Sequence, residues 1–177
     1  GFVHSFAFSP KEDLLVFEAD KGGDELPRLY ATDRKGTSPR ELIPDFPKGR
    51  RTEFVDWARD GKTFLYLSNA RDEKAMDLVE YDVASKKSAV LWEASGDLAF
   101  GTTSTDHKRF AIVATRGAAN SDVFVLDRGE KAPRLLTKHT GDIHFQPAAF
   151  SPDKRSLLVV SDEGNDFVFT HMKDDYY

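Results

Sequence analysis

The 177-residue sequence contains no cysteine. Disulfides and thiolate catalysis are therefore excluded. Cytoplasm and periplasm both fit a cysteine-free chain, with the cytoplasm favoured. Positive charge is in deficit: 25 Lys and Arg face 30 Asp and Glu, for a net charge of −5. This argues against nucleic acid as the main partner, because phosphate binding needs a basic face. No apolar run approaches the ~18 residues of a membrane-spanning helix, so no membrane partner is expected. No basic segment followed by an apolar core marks a signal peptide at the start. The first residue is Gly rather than Met, as in a chain processed, tagged or cut from something longer. No window sustains a helical period.

What the chain has in quantity is phenylalanine, 14 residues, and a unit that recurs. The unit is clearest at residues 146–169, QPAAFSPDKRSLLVVSDEGNDFVF. Residues 147–150 form a short run ending in a large apolar side chain. Ser151-Pro152-Asp153-Lys154-Arg155 is turn chemistry: Pro fixes φ at the first corner and Asp can bond its own backbone. Residues 156–161, SLLVVS, form the near-continuous apolar run of a strand covered on both faces. A polar loop at 162–165 leads to a third strand from residue 167.

The same turn recurs as Ser9-Pro10-Lys11-Glu12-Asp13, Ala58-Arg59-Asp60-Gly61-Lys62 and Ser104-Thr105-Asp106-His107-Lys108. The four turns start at 9, 58, 104 and 151, so the spacings are 49, 46 and 47 residues. Second strands are expected at 14–17, 64–67, 110–113 and 157–160. Third strands are expected at 28–32, 77–81, 122–126 and 167–170, and fourth strands at 40–43, 89–92 and 134–137. No full fourth strand is expected after residue 171. Four antiparallel strands in about 46–49 residues match the 40–50-residue repeat of a propeller blade. The fold class is therefore all-β: about four blades of four antiparallel strands, a partial propeller. The blades are expected at 1–46, 47–94, 95–140 and 141–177, the last incomplete. A β-sandwich is the competing reading, and the fixed repeat argues against it. A large residue precedes three of the four turns, Phe8, Trp57 and Phe150, with Thr103 the exception. These three are expected to be equivalent and buried. A chain of four blades would expose the apolar flanks of its first and last blades. Two copies meeting head to tail would supply about eight blades, so a homodimer closing one ring is expected; the alternative is that blades from another part of a parent complete the ring.

The turn with its preceding aromatic resembles the TolB-type propeller repeat, whose hallmark is an aromatic followed by Ser-Pro-Asp-Gly-Lys. The departures are Thr103 for the aromatic, and Glu12, His107 and Lys154 for the turn Gly. In the last two units the runs at 120–127, 135–137, 147–153 and 161–167 are similar to the N-terminal propeller of prolyl oligopeptidase-family serine peptidases. The Ser161-Asp162-Glu163-Gly164 run points there most narrowly. The resemblance implies a non-catalytic segment that gates access to an absent α/β-hydrolase domain and docks to it. The partners it implies are that hydrolase domain or the remaining blades, and the parent's peptide substrate. No serine lies in a Gly-x-Ser-x-Gly elbow, and no βαβ alternation supports a hydrolase sheet. No catalytic residue is therefore assigned to this chain, and no cofactor is implied. The alternatives are a TolB-like protein-binding module without a peptidase domain, and a fragment that self-assembles into a closed ring.

Other chemistry-bearing residues are sparse. His4, Glu53 and Gln146 stand at matching distances before the turn aromatics and are candidate channel-mouth contacts. Arg71 and Arg116 fall in equivalent loops between second and third strands, where they could meet a carboxylate or a partner domain. His139 and His144 flank a Thr-Gly-Asp loop; a metal there would need a third ligand, and solvated loop histidines are expected instead. Asp20, Asp24, Glu25 and Asp162, Glu163, Asn165, Asp166 lack EF-hand spacing and read as turn formers, so no metal site is assigned. Lys48, Arg50 and Arg51 read as a solvated basic loop.

Overall fold

The structure is a computed structural model and describes residues 1–164 and the backbone of 168–173. Every regular element among the described residues is a strand. Strands β1 (Val3–Phe8), β2 (Leu15–Ala19), β3 (Arg28–Thr32) and β4 (Arg40–Glu41) form one sheet in chain order. The second sheet is β5 (Thr52–Trp57), β6 (Thr63–Asp72), β7 (Ala75–Asp82) and β8 (Lys87–Trp92). The third is β9 (Leu98–Thr103), β10 (Arg109–Gly117), β11 (Asn120–Asp127) and β12 (Arg134–Leu135). The fourth holds β13 (Phe145–Phe150), β14 (Ser156–Ser161) and β15 (Val168–Lys173). All pairings are antiparallel, as in the blades of a partial β-propeller. The expected start of the last strand at Phe167, and the segment 174–177, lie outside the described residues.

The chain divides into two compact units, Gly1–Glu93 and Ala94–Tyr177. In the first unit one core joins the first and second sheets: Leu14, Val16, Leu29, Ala31 and Leu42 meet Trp57, Phe64, Tyr66, Val79 and Tyr81. In the second unit Ala111, Val123 and Val125 of the third sheet meet Phe150, Leu157 and Val159 of the fourth, with Phe145. Each sheet pair thus packs one side of a blade onto the opposite side of the next, which is how apolar faces too flat to stand alone become buried.

The recurring turn has one hydrogen bond in common in all four units. The N–H at its first residue donates to the carbonyl five residues on: Ser9 to Leu14 at 2.8 Å, Ala58 to Thr63 at 2.9 Å, Ser104 to Arg109 at 2.9 Å and Ser151 to Ser156 at 2.8 Å. The fourth turn residue takes a left-handed φ of +70° at Gly61, +54° at His107 and +65° at Lys154. Gly61 has a second reason to be glycine: a Cβ there would come 2.9 Å from Ser9 Oγ and 3.1 Å from Lys11 Cβ. The first turn is built differently, with the Glu12 N–H donating to Ser9 Oγ at 3.1 Å.

Two expectations are corrected. The fourth strands of the first and third sheets are short, Arg40–Glu41 and Arg134–Leu135. Even so, the Leu42 N–H still donates to Leu29 at 2.9 Å and the Leu136 N–H to Val123 at 2.8 Å. Leu42 itself is buried in the core of the first unit. The second correction is Phe8. Trp57 and Phe150 are 8% and 9% exposed, while Phe8 is 48% exposed. Trp57 and Phe150 each press on the sheet that precedes theirs. Phe8 belongs to the first sheet and carries its aromatic on the side opposite the core with the second.

Candidate functional site

The polar residues on the first strand of three of the sheets lie beside β-bulges. Glu53 in β5 lies opposite Leu67, and Gln146 in β13 lies opposite Val160, the same place in their sheets. Both side chains are exposed. In β1 the register slips between Val3 and Ser5. Ser5 consequently takes the place of Glu53, opposite Glu18, and His4 falls within the bulge. A bulge adds one residue to one strand, so equal counting along the sequence does not give equal places in the sheet. His4 instead reaches Asp20 at 3.5 Å. Asp20 is held below the usual carboxylate range by the N–H groups of Gly23 and Phe2, with a further contribution from His4.

Glu18 is the functional-looking residue that spacing did not single out. It is buried. The Ser5 hydroxyl donates to Oε2 at 2.5 Å, and the backbone N–H of Phe54 in the next sheet donates to Oε1. Phe54 sits beside the bulge of β5, so its N–H is turned out of the ladder and the carboxylate receives it. The equivalent places in the other sheets carry Leu67, Val113 and Val160. A lone acid in an otherwise apolar row was the signal that could have found it.

Arg71 and Arg116 lie near the ends of two long hairpins and belong to strands β6 and β10, not to loops. Each meets a carboxylate of its own hairpin. Arg71 grips Asp77 with two parallel bonds, Nε to Oδ2 at 2.8 Å and Nη2 to Oδ1 at 2.7 Å. This pairing raises the Arg71 pKa. Arg116 Nη1 stands 2.5 Å from Asp122 Oδ2. Both arginines keep about half of their side chains in solvent while both aspartates are buried. Beside Arg71 and Asp77 is a cleft of about 250 Å³, bounded by Ile43, Phe46, Tyr66 and Val90.

His139 is not a solvated loop residue. Its side chain is 6% exposed, its Nε2 lies 3.3 Å from Asp122 Oδ1, and its ring packs 5.3 Å from that of Phe145. The Asp122 carboxylate draws both Arg116 and His139 to the mouth of the third sheet. His144 Nδ1 is 3.1 Å from Ser121 Oγ. The Ser121 hydroxyl is engaged by the backbone of Phe145. It is fully buried, donates to the Phe145 carbonyl at 2.7 Å and accepts from the Phe145 N–H at 2.8 Å. Asp162 bonds the backbone of His144 rather than its ring. Among the described residues, no three His, Asp or Glu side chains gather as metal ligands. Asn165 and Asp166 of the acidic run lie outside the described residues.

The arrangement presents polar groups at the surface: exposed Glu53 and Gln146 on the first strands of their sheets, and half-exposed Arg71 and Arg116 near hairpin ends. The family described as prolyl oligopeptidase, N-terminal beta-propeller domain, matches residues 2–175. Dipeptidyl aminopeptidase BIII of Pseudoxanthomonas mexicana is 28% identical over 168 residues, 92% of this chain and 24% of the relative. TolB from Acinetobacter baumannii superimposes with a TM-score of 0.62 at 24% identity, over 95% of this chain and 40% of TolB. A chain from a structural study of two prolyl endopeptidases gives 0.65 at 21% identity, over 92% of this chain and 25% of the other. The chain thus spans about a quarter of the length of the curated relative it matches. With the family profile covering nearly every residue of a chain built from blade-type sheets, the protein belongs to the prolyl oligopeptidase family, as its N-terminal β-propeller domain.

Proposed function

We propose that this chain is the non-catalytic blade segment of a prolyl oligopeptidase-type serine peptidase, and that it gates peptide access to an α/β-hydrolase domain on which it docks. Its blades are taken as 1–46, 47–94, 95–140 and 141–177. The observation that carries the reading is the family match over residues 2–175. The burial of Ser121, whose hydroxyl lies 3.1 Å from the His144 ring, agrees with it. Glu53 and Gln146 are the candidate contacts for a peptide passing the innermost strands, and Arg71 and Arg116 for the docked domain. A propeller that gates acts on the size and charge of what passes, and leaves the acyl-transfer chemistry to the nucleophile, base and oxyanion donors of the other domain.

The test uses the parent protein that contains these residues. Glu53→Lys and Gln146→Lys are expected to change kcat/KM for charged peptides several-fold, while a small ester that needs no gate is cleaved as before. An unchanged peptide-to-ester ratio, or a parent with no Gly-x-Ser-x-Gly segment, would overturn the reading.

A further inference from the structure

The cleft of about 250 Å³ beside Arg71 and Asp77 has two walls. One is the segment that leaves the short fourth strand of the first sheet, with Ile43, Phe46 and Pro47. The other is the second sheet, with Tyr66 of β6, Val79 of β7 and Val90 of β8. Tyr66 and Val79 are buried and Ile43 and Phe46 half-buried, while Val90 is 56% exposed and stands at the opening. Both walls lie between residues 43 and 90, inside the first compact unit, so the opening owes nothing to where the chain begins or ends.

The charges that line the cleft leave little for an ionic ligand. Asp77 is buried and already gripped by Arg71 with two bonds. Asp45 is exposed, where solvent screens it. Two serine hydroxyls remain. Ser68 is 4% exposed, and its Oγ accepts from the Ala70 N–H at 3.2 Å. The Tyr66 hydroxyl, whose pKa is raised by burial, donates to Ser88 Oγ at 2.9 Å. A serine hydroxyl that accepts one bond still has its own proton to donate. The site thus combines apolar walls with hydrogen-bond donors and no uncompensated buried charge. Pockets that enclose a drug-sized ligand run to about 300–1,000 Å³, so this smaller one suits a group the size of a single apolar residue.

We propose that the cleft between the segment 43–47 and the second sheet binds one uncharged apolar side chain of a peptide, and that an amide carbonyl beside that side chain accepts from Ser68, with Ser88 at the open side. The apolar walls hold the side chain, and the hydroxyl fixes its orientation. A buried hydroxyl that meets no acceptor also discriminates against a purely hydrocarbon occupant. The inference rests on the cleft and not on the peptidase reading, which survives if it fails.

The probe is N-acetyl-photoleucine amide, a leucine-sized side chain carrying a diazirine between two uncharged amide groups. It is irradiated with the parent protein that contains residues 1–177, and the adducts are located by peptide mass mapping. Adducts are expected within 43–47 or at Val90, and excess N-acetyl-leucine amide is expected to suppress them at least five-fold. Val90→Arg, a change at an exposed position, fills the opening and should lower the yield there at least ten-fold. Ser68→Ala should lower it at least three-fold. A thermal melt checks that each variant is folded, and if Ser68→Ala unfolds the protein, Ser88→Ala replaces it. Adducts found only elsewhere, or a yield at the cleft that survives competition or Val90→Arg, overturn the proposal. An unchanged yield in the folded serine variant overturns the role of the hydroxyl. Stronger competition by N-acetyl-leucine as the free acid than by its amide overturns the assignment to an uncharged group.

Discussion

Replacing Trp57 by Ala tests the stacking of sheets more sharply than any other single change, because the repeat supplies its own control. Trp57 is nearly buried in the core between the first two sheets. Its ring lies 5.1 Å from Phe64, edge to face, and 6.3 Å from Phe54. Its indole N–H points at the Ala7 carbonyl of the first sheet, 3.4 Å away. Deleting the ring empties a large volume that two flat sheets cannot close, and truncations of this kind cost about 3–5 kcal/mol. The long indole hydrogen bond adds little to that. At about 2–4 °C per kcal/mol for a chain of this size, the melting temperature should fall by about 6–20 °C. Phe8 holds the same place in the repeat and has Arg34 5.4 Å over its ring, yet is half exposed. Phe8→Ala should therefore cost no more than about 1 kcal/mol, measured where the chain is dilute enough to be monomeric. Urea titrations of the two variants read the difference directly. Equal losses, or a Trp57 variant that melts with the wild type, would refute the assignment of that core.

Three further predictions follow from single residues. Asp106 is partly desolvated, which raises its pKa, but Lys154 at 2.9 Å, the Ser104 hydroxyl and the Lys108 N–H outweigh this and lower it to about 2. A carboxyl depressed in the folded state stabilises above its unfolded pKa and stops doing so as pH falls through the folded value, here from about 4 to about 2. Asp106→Asn should therefore cost about 1–2 kcal/mol at neutral pH and almost nothing near pH 2, as seen by denaturant unfolding at both. Gly61→Ala should cost about 1–3 kcal/mol, from the left-handed φ and the contact with the first turn, read as a lowered melting temperature. Glu18→Gln keeps the shape of the acceptor between Ser5 and Phe54 but weakens the charge-assisted bond, so it should destabilise by about 1 kcal/mol, and Glu18→Leu by more, since the Phe54 N–H is left unpaired.

Much of the fold is legible in the sequence because turns and β-rich runs alternate at a fixed spacing. The third strand at 28–32 coincides with β3, and the fourth turn leads into β14 as its apolar run implies. What was not legible depends on neighbours rather than on the local run. Phe8 and Trp57 look alike in sequence, and only the presence of a preceding sheet separates an exposed ring from a buried one. The place of His4 depends on where a bulge falls, and a bulge leaves no reliable mark in one sequence. Arg71 and Arg116 were expected in loops because their hairpins carry polar residues past the apolar run. The strands nonetheless run past them, with Asp72 opposite Ala75 and Gly117 opposite Asn120; the arginines fall in the breaks of register and close onto Asp77 and Asp122. His139 reads as a loop residue until Asp122, 17 positions earlier, is brought beside it.

The most direct measurement of the central claim is labelling by a fluorophosphonate probe, which reacts with an activated serine. It is applied side by side to the 177-residue chain and to the parent protein that contains it, followed by peptide mapping. The expected result is a label on the parent at a serine outside residues 1–177, and none on the isolated chain. A label within residues 1–177 that a single substitution such as Ser121→Ala abolishes would contradict the claim that these blades carry no catalytic nucleophile.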